Sequence, residues 1–129
     1  MPISEPTSID RLPSSDELAL LSSLLEHGNA QGQRVLSQIP SLRVISRCRC
    51  GCASVDFSVD GQVPSPKSGM EVVSDYWWRT DEGHLCGAFV FLREGLLAGI
   101  DLWSIDGQEI PSTLPAVESL RPQGVAYDA

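Results

Sequence analysis

Lysine is almost absent from this chain: Lys67 stands alone among nine basic residues, set against seventeen acids, for a formal net charge of −8. A surface so short of positive charge repels phosphate backbones and anionic headgroups, so neither nucleic-acid nor membrane binding is expected. Long apolar runs are missing too. None approaches the roughly 18 residues that a membrane-spanning helix requires. Met1 to Asp10 holds two acids, no base and no apolar core segment, which is not the pattern of a secretory leader. The expected compartment is the cytoplasm, where four cysteines serve as thiols or metal ligands rather than structural disulfides. No nucleophile elbow, P-loop or metal-hydrolase motif is present, so no motif argues for an enzyme.

What remains is ordinary for a globular protein. The 129 residues, 42% hydrophobic and 20% charged, suit one domain with a core that needs no staple. Residues 1–13 are polar and rich in proline and serine, and read as a flexible lead-in to a single domain over 14–120, followed by a tail at 121–129. Ser14 and Glu17 form a capping-box pattern at the start of a helix. Leu18, Leu21 and Leu25, with Leu20 and Leu24, give that helix a broad apolar stripe, and Gly28 marks its stop. Asn29 caps a second helix whose Val35, Leu36 and Ile39 face inward, with an end expected before Pro40.

At Leu42 the apolar spacing changes from helical to alternating. Leu42, Val44, Ser46 and Cys48 form one face of a strand, and Val55, Phe57 and Val59 one face of the next. Gly51 lies between them as a turn or bulge. Residues 60–69 carry Gly61, Pro64, Pro66 and Gly69, a breaker-rich loop. Strands over 70–80, 84–93 and 96–104 follow, joined by the short connectors Asp81-Glu82-Gly83 and Glu94-Gly95, which force antiparallel neighbours. Another turn is expected at Asp106-Gly107. Beyond it, Pro111, Pro115 and Pro122 disfavour long elements, though Ile110, Leu114, Val117 and Leu120 can dock. The expected fold is α+β: an N-terminal helix pair packed on one face of a roughly five-stranded antiparallel sheet, with a meander in the C-terminal half.

The helix pair, the segment Cys48-Arg-Cys-Gly-Cys-Ala-Ser-Val-Asp-Phe57, the strand Gly95-Leu-Leu-Ala-Gly-Ile-Asp-Leu-Trp103 and the late Leu114-Pro115 together resemble a known group. It comprises small uncharacterised bacterial proteins with a Cys-Gly-Cys motif behind an N-terminal helical segment. The resemblance spans about Leu18 to Pro115. It implies a bacterial, cytosolic origin and carries no activity with it.

Cys48, Cys50, Cys52 and Cys86, with His84, are the candidate metal ligands. Zinc requires ligand sulfurs about 4 Å apart, whereas alternate residues of a regular strand are about 6.5 Å apart. The three clustered thiols converge only if the backbone folds sharply at Gly51. The plainer reading makes them small apolar fillers beneath the helices. A third reading is redox chemistry at Cys50-Gly51-Cys52, with Arg47 and Arg49 favouring thiolate. Arg43, Arg47 and Arg49 share a face if their strand is regular, as an anion site or as cross-strand partners for acids. Asp56 and Asp101 read as outward-facing acids. His27 suits the negative end of its helix, and His84 a solvated strand end.

Tyr76, Trp77, Trp78 and Trp103 are the candidate partner-binding residues, tryptophan and tyrosine being favoured interface anchors. Trp77 must face away from Tyr76 and Trp78. Both sheet faces therefore carry large apolar groups, one covered by helices and the other by the tail, a second copy or a protein partner. The functional expectation is a non-enzymatic interaction or accessory module. The alternatives are a zinc- or thiol-dependent domain built on the cysteines, and an immunity-like acidic inhibitor of a basic toxin.

Overall fold

The computed structural model describes residues 7–124. Helix α1 (Ser15–Glu26) begins where the capping box places it. The Glu17 amide donates to Ser14 Oγ at 3.1 Å, and the Ser14 amide donates to Glu17 Oε1 at 2.8 Å. Glu17 does more than cap. Its two carboxylate oxygens accept both terminal nitrogens of Arg11, at 2.8 and 2.9 Å, which ties strand β1 (Thr7–Arg11) to the helix. Leu20, Leu21, Leu24 and Leu25 are fully buried, each stabilising the fold by on the order of 2 kcal/mol. Gly28 follows the His27 C-cap. Its place is set by close approach: a Cβ there would lie 2.5 Å from the Val73 carbonyl oxygen.

The second helix departs from expectation. Asn29 caps it as read, accepting from the Gly32 amide at 3.0 Å, but α2 is a single turn, Ala30–Arg34. It continues as a 3-10 helix, Val35–Ser41, with Pro40 inside rather than beyond the end. Proline is barred from α-helix interiors by its missing N–H and its clash with the preceding turn, and short 3-10 pieces absorb it near a terminus. The helices thus cover the sheet as one long element and a bent strap, not as a matched pair. α1 packs on β4 (Glu71–Arg79) and β5 (Leu85–Arg93), and the strap on β3 (Val55–Val59) and β6 (Leu96–Ser104).

Among the described residues the sheet has seven strands, all antiparallel, in the order β1-β2-β3-β6-β5-β4-β7, where β2 is Leu42–Arg47 and β7 is Arg121–Pro122. The five expected strands are present, and β4-β5-β6 form the expected meander. The additional two are the edges. β1 lies within the stretch read as a lead-in, and β7 within the tail. Residues 1–6 and 125–129 of those stretches lie outside the described residues. Neither edge strand shows an alternating pattern: β1 has one apolar residue, Ile9, and β7 is two residues ending in Pro122. Short, charged or proline-bearing strands are typical of edges, where one side of the ladder is left unpaired.

Irregular register in β2 decides what reaches each face. Val44 pairs Phe57 and Ser46 pairs Asp56, so Ile45 is an extra residue, a β-bulge. Cross-strand partners share a face. Arg43 opposite Ser58 and Arg47 opposite Val55 therefore lie on opposite faces. The expected three-arginine face does not exist, because the strand is not regular. Arg43 pairs with Asp10 at 2.6 Å on the outer face. Arg47 turns to the helix side.

Candidate functional site

Strand β2 ends at Arg47, and Cys48 to Ser54 form a loop before β3. Gly51 adopts φ +97°, a left-handed value that L side chains avoid, and the chain reverses there. The condition for convergence is thereby met. The sulfurs of Cys48, Cys50 and Cys52 all lie within 4.8 Å of one another, and Cys50 Sγ is 2.9 Å from Cys52 Sγ. Backbone amides point inward at them: Cys50 N–H donates to Cys48 Sγ at 3.4 Å, and Cys52 N–H donates to Cys50 Sγ at 3.3 Å. Two anchors hold the loop in this shape. The Cys48 amide donates to the Ser54 carbonyl at 3.3 Å, and the Ala53 amide donates to the Pro111 carbonyl at 2.9 Å.

The core-filling reading separates the four thiols. Cys86 is fully buried among the helix-side residues of β4, β5 and β6, whereas Cys50 is exposed and Cys48 and Cys52 are partly so. Packing accounts for Cys86 alone. His84 is not with the cluster either; its Nδ1 lies 2.7 Å from Glu109 Oε1, which also accepts from the Thr80 hydroxyl at 2.7 Å. Among the described residues, the group of converging ligands is Cys48, Cys50 and Cys52.

Partial burial, reinforced by hydrogen bonds from its neighbours, pushes the Cys48 thiol up to about 12. Hydrogen bonds from the Cys48 and Cys52 side chains hold the Cys50 thiol below its ordinary value, and the Cys52 amide adds to this. Cys50 therefore ionises at lower pH than Cys48. Behind the loop, Ser54 Oγ lies 3.2 Å from Cys52 Sγ, accepts from the Leu102 amide at 2.7 Å and donates to Asp101 Oδ1 at 2.9 Å. Burial raises the Asp101 carboxyl above its usual range. Asp56 accepts from the Ser46 hydroxyl at 2.7 Å, so both outward acids are taken by serines. The support from Ser54 has no signal in the sequence, since its partner is 47 residues away.

A cavity of about 440 Å³ opens beside the loop, lined by Arg11, Arg47, Arg49, Cys48, Cys52 and Glu17 among others. No family model, curated protein or solved structure matches this chain. A three-thiolate set is soft and suits d¹⁰ ions; with metal–sulfur bonds of about 2.3 Å, ligand sulfurs stand roughly 3.8 Å apart. The present spacing, with one pair at 2.9 Å and all three sulfurs within 4.8 Å, spans that value. These three residues would hold such an ion and would leave it a position for an exogenous ligand.

The aromatic candidates are split between faces. Tyr76 and Trp78 pack toward the helices, with Tyr76 Oη donating to the His27 carbonyl at 3.1 Å. Trp77 pairs across β5 and β6 with Gly87 and Trp103 on the outer face. It is 2% exposed, while Trp103 is 41% exposed and lies over Gly87. Of the four, Trp103 is the one open to solvent. No helix of the described residues is long and apolar enough to cross a membrane.

Proposed function

We propose that this protein is a small metal–thiolate domain that holds a thiophilic ion, zinc in the first instance, through Cys48, Cys50 and Cys52. The single observation behind this reading is that three sulfurs converge in a loop, and that none of the three cysteines belongs to the hydrophobic core. Structural zinc sites are closed by four protein ligands, whereas a site with three keeps a position open to an exogenous ligand. An accessible loop with three ligands belongs to the second kind. The role is binding and presentation of the ion, not support of the fold.

The test is cobalt substitution. Protein purified without chelator and titrated with Co(II) is expected to develop thiolate charge-transfer absorption saturating at about one ion per chain. The absorption is expected to survive Cys86→Ser and vanish in the triple variant Cys48→Ser/Cys50→Ser/Cys52→Ser. Absorption that persists in the triple variant, or never develops in the wild type, defeats the reading.

A second reading, as an interaction module, is favoured by the exposure of Trp103, 41% exposed, on the outer face, with Asp75 and Asp101 in the adjoining row. Its partner is a protein with basic side chains, in keeping with an immunity-like inhibitor, or a second copy. Concentration-dependent sedimentation abolished by Trp103→Ser supports self-association. A monomer at every concentration removes it.

A further inference from the structure

The cavity beside the thiol loop holds three guanidiniums against one carboxylate. Arg11, Arg47 and Arg49 line it, and Glu17 is its sole acid. Both oxygens of Glu17 are already engaged by Arg11. Among the described residues, the guanidiniums of Arg47 and Arg49 have neither an ion pair nor a hydrogen-bond partner. The other arginines are engaged: Arg34 with Gln31, Arg43 with Asp10, Arg79 with the Gly83 carbonyl, Arg93 with the Ser68 carbonyl, Arg121 with backbone carbonyls. In a chain of net charge −8 with seventeen acids, two adjacent guanidiniums without a counter-charge are the exception. The bulge at Ile45 places one of them there, since a regular strand would send Arg47 to the outer face beside Arg43.

We propose that this cavity binds a small oxyanion-bearing ligand, a phosphate ester or a polycarboxylate, clamped between Arg47 and Arg49. The guanidinium fork matches the oxygen spacing of carboxylate and phosphate and bonds them in pairs. A volume of about 440 Å³ is that of a small-molecule site. Leu114 and Ala53 supply apolar wall for the ligand's body, and Ser112 a hydroxyl. The proposal shares its cavity with the metal reading but stands on the arginines alone.

The experiment follows the arginine side-chain N–H resonances of the full chain in low-salt buffer. Inorganic phosphate is the first probe and citrate the second, to separate the two ligand sources. Saturable shifts are expected at Arg47 and Arg49 and not at Arg43. Binding is expected to weaken roughly tenfold or more in Arg47→Ala/Arg49→Ala, and to be unchanged in Arg43→Ala, which removes a positive charge from the opposite face. Both arginines are exposed, and an unchanged amide spectrum verifies that the double variant folds. Saturable binding in the triple cysteine variant separates this site from the metal site. Non-saturating shifts spread over all arginines, or equal affinity in the double variant, overturn the proposal.

Discussion

Within the thiol loop, Cys50 is exposed and receives the Cys52 amide at 3.3 Å, while Cys48, two residues earlier, is pushed up to about 12. Alkylation requires thiolate and access together. In metal-free protein at mildly alkaline pH, iodoacetamide is expected to modify Cys50 at least about tenfold faster than Cys48, with Cys86 last because it is buried. Peptide mapping against time checks the order, and equal rates at Cys48 and Cys50 would contradict it. Asp101 gives the second prediction at this scale. Its folded-state pKa is raised, chiefly by burial, so the folded state holds the proton more tightly than the unfolded state. Stability from this group is thus present at low pH and lost as pH rises through the folded value. Asp101→Asn keeps an oxygen for Ser54 to donate to and removes the buried charge. The variant is expected to melt a few degrees higher at neutral pH and to show a flatter dependence above pH ~4. A lower melting temperature at neutral pH would mean that the charge itself is needed there.

At the scale of elements, the two closest glycine approaches differ in what stands opposite. A Cβ at Gly28 would meet the Val73 carbonyl at 2.5 Å and the Leu24 carbonyl at 3.0 Å, both backbone. A Cβ at Gly87 would meet Trp103 Nε1 at 2.5 Å, on a side chain with solvent to move into. Backbone cannot yield without shifting α1 against β4, so Gly28→Ala is expected to cost roughly 2–3 kcal/mol. Gly87→Ala is expected to cost about 1 kcal/mol and to alter Trp103 fluorescence as the indole swings out. Urea melts of the two variants decide it, and the reverse order would show that Trp103 is locked. The capping box, the leucine stripe and the three meander strands were legible, because each is a local pattern within one element. The bulge at Ile45 was not. It depends on which residue of β3 stands opposite, and one slipped residue moved Arg47 to the other face. Convergence of the cysteines was legible only as a condition: Cys48 continues the apparent alternation of Leu42, Val44 and Ser46, whereas the strand ends at Arg47 and the chain reverses at Gly51. Strands β1 and β7 were illegible for a simpler reason, since edges this short and polar look like coil.

For the molecule as a whole, the change of apolar spacing near Leu42 carried the α+β class, while strand order depended on β3 pairing with β6 across the loop and two strands between them. That long-range pairing brings Ser54 to Leu102 and fixes the base of the thiol loop on the sheet. The loop is therefore anchored by a core that is complete without it: Leu20, Leu24, Val44, Phe57, Val90, Leu97 and Ile100 are buried whether or not the sulfurs hold an ion. A metal bound to the native state alone raises stability by mass action, about 2.7 kcal/mol at a hundredfold excess over its dissociation constant, and does not determine whether the chain folds. Stripping the metal with a chelator is expected to leave the far-ultraviolet dichroism unchanged and the melt a single cooperative transition, at a lower temperature. Adding Zn(II) back is expected to raise that temperature in proportion to the logarithm of its free concentration, and the rise is expected to disappear in the triple cysteine variant. Were the metal-free chain instead to lose its cooperative transition, the ion would be a structural staple, and a core able to close without it could not be as drawn.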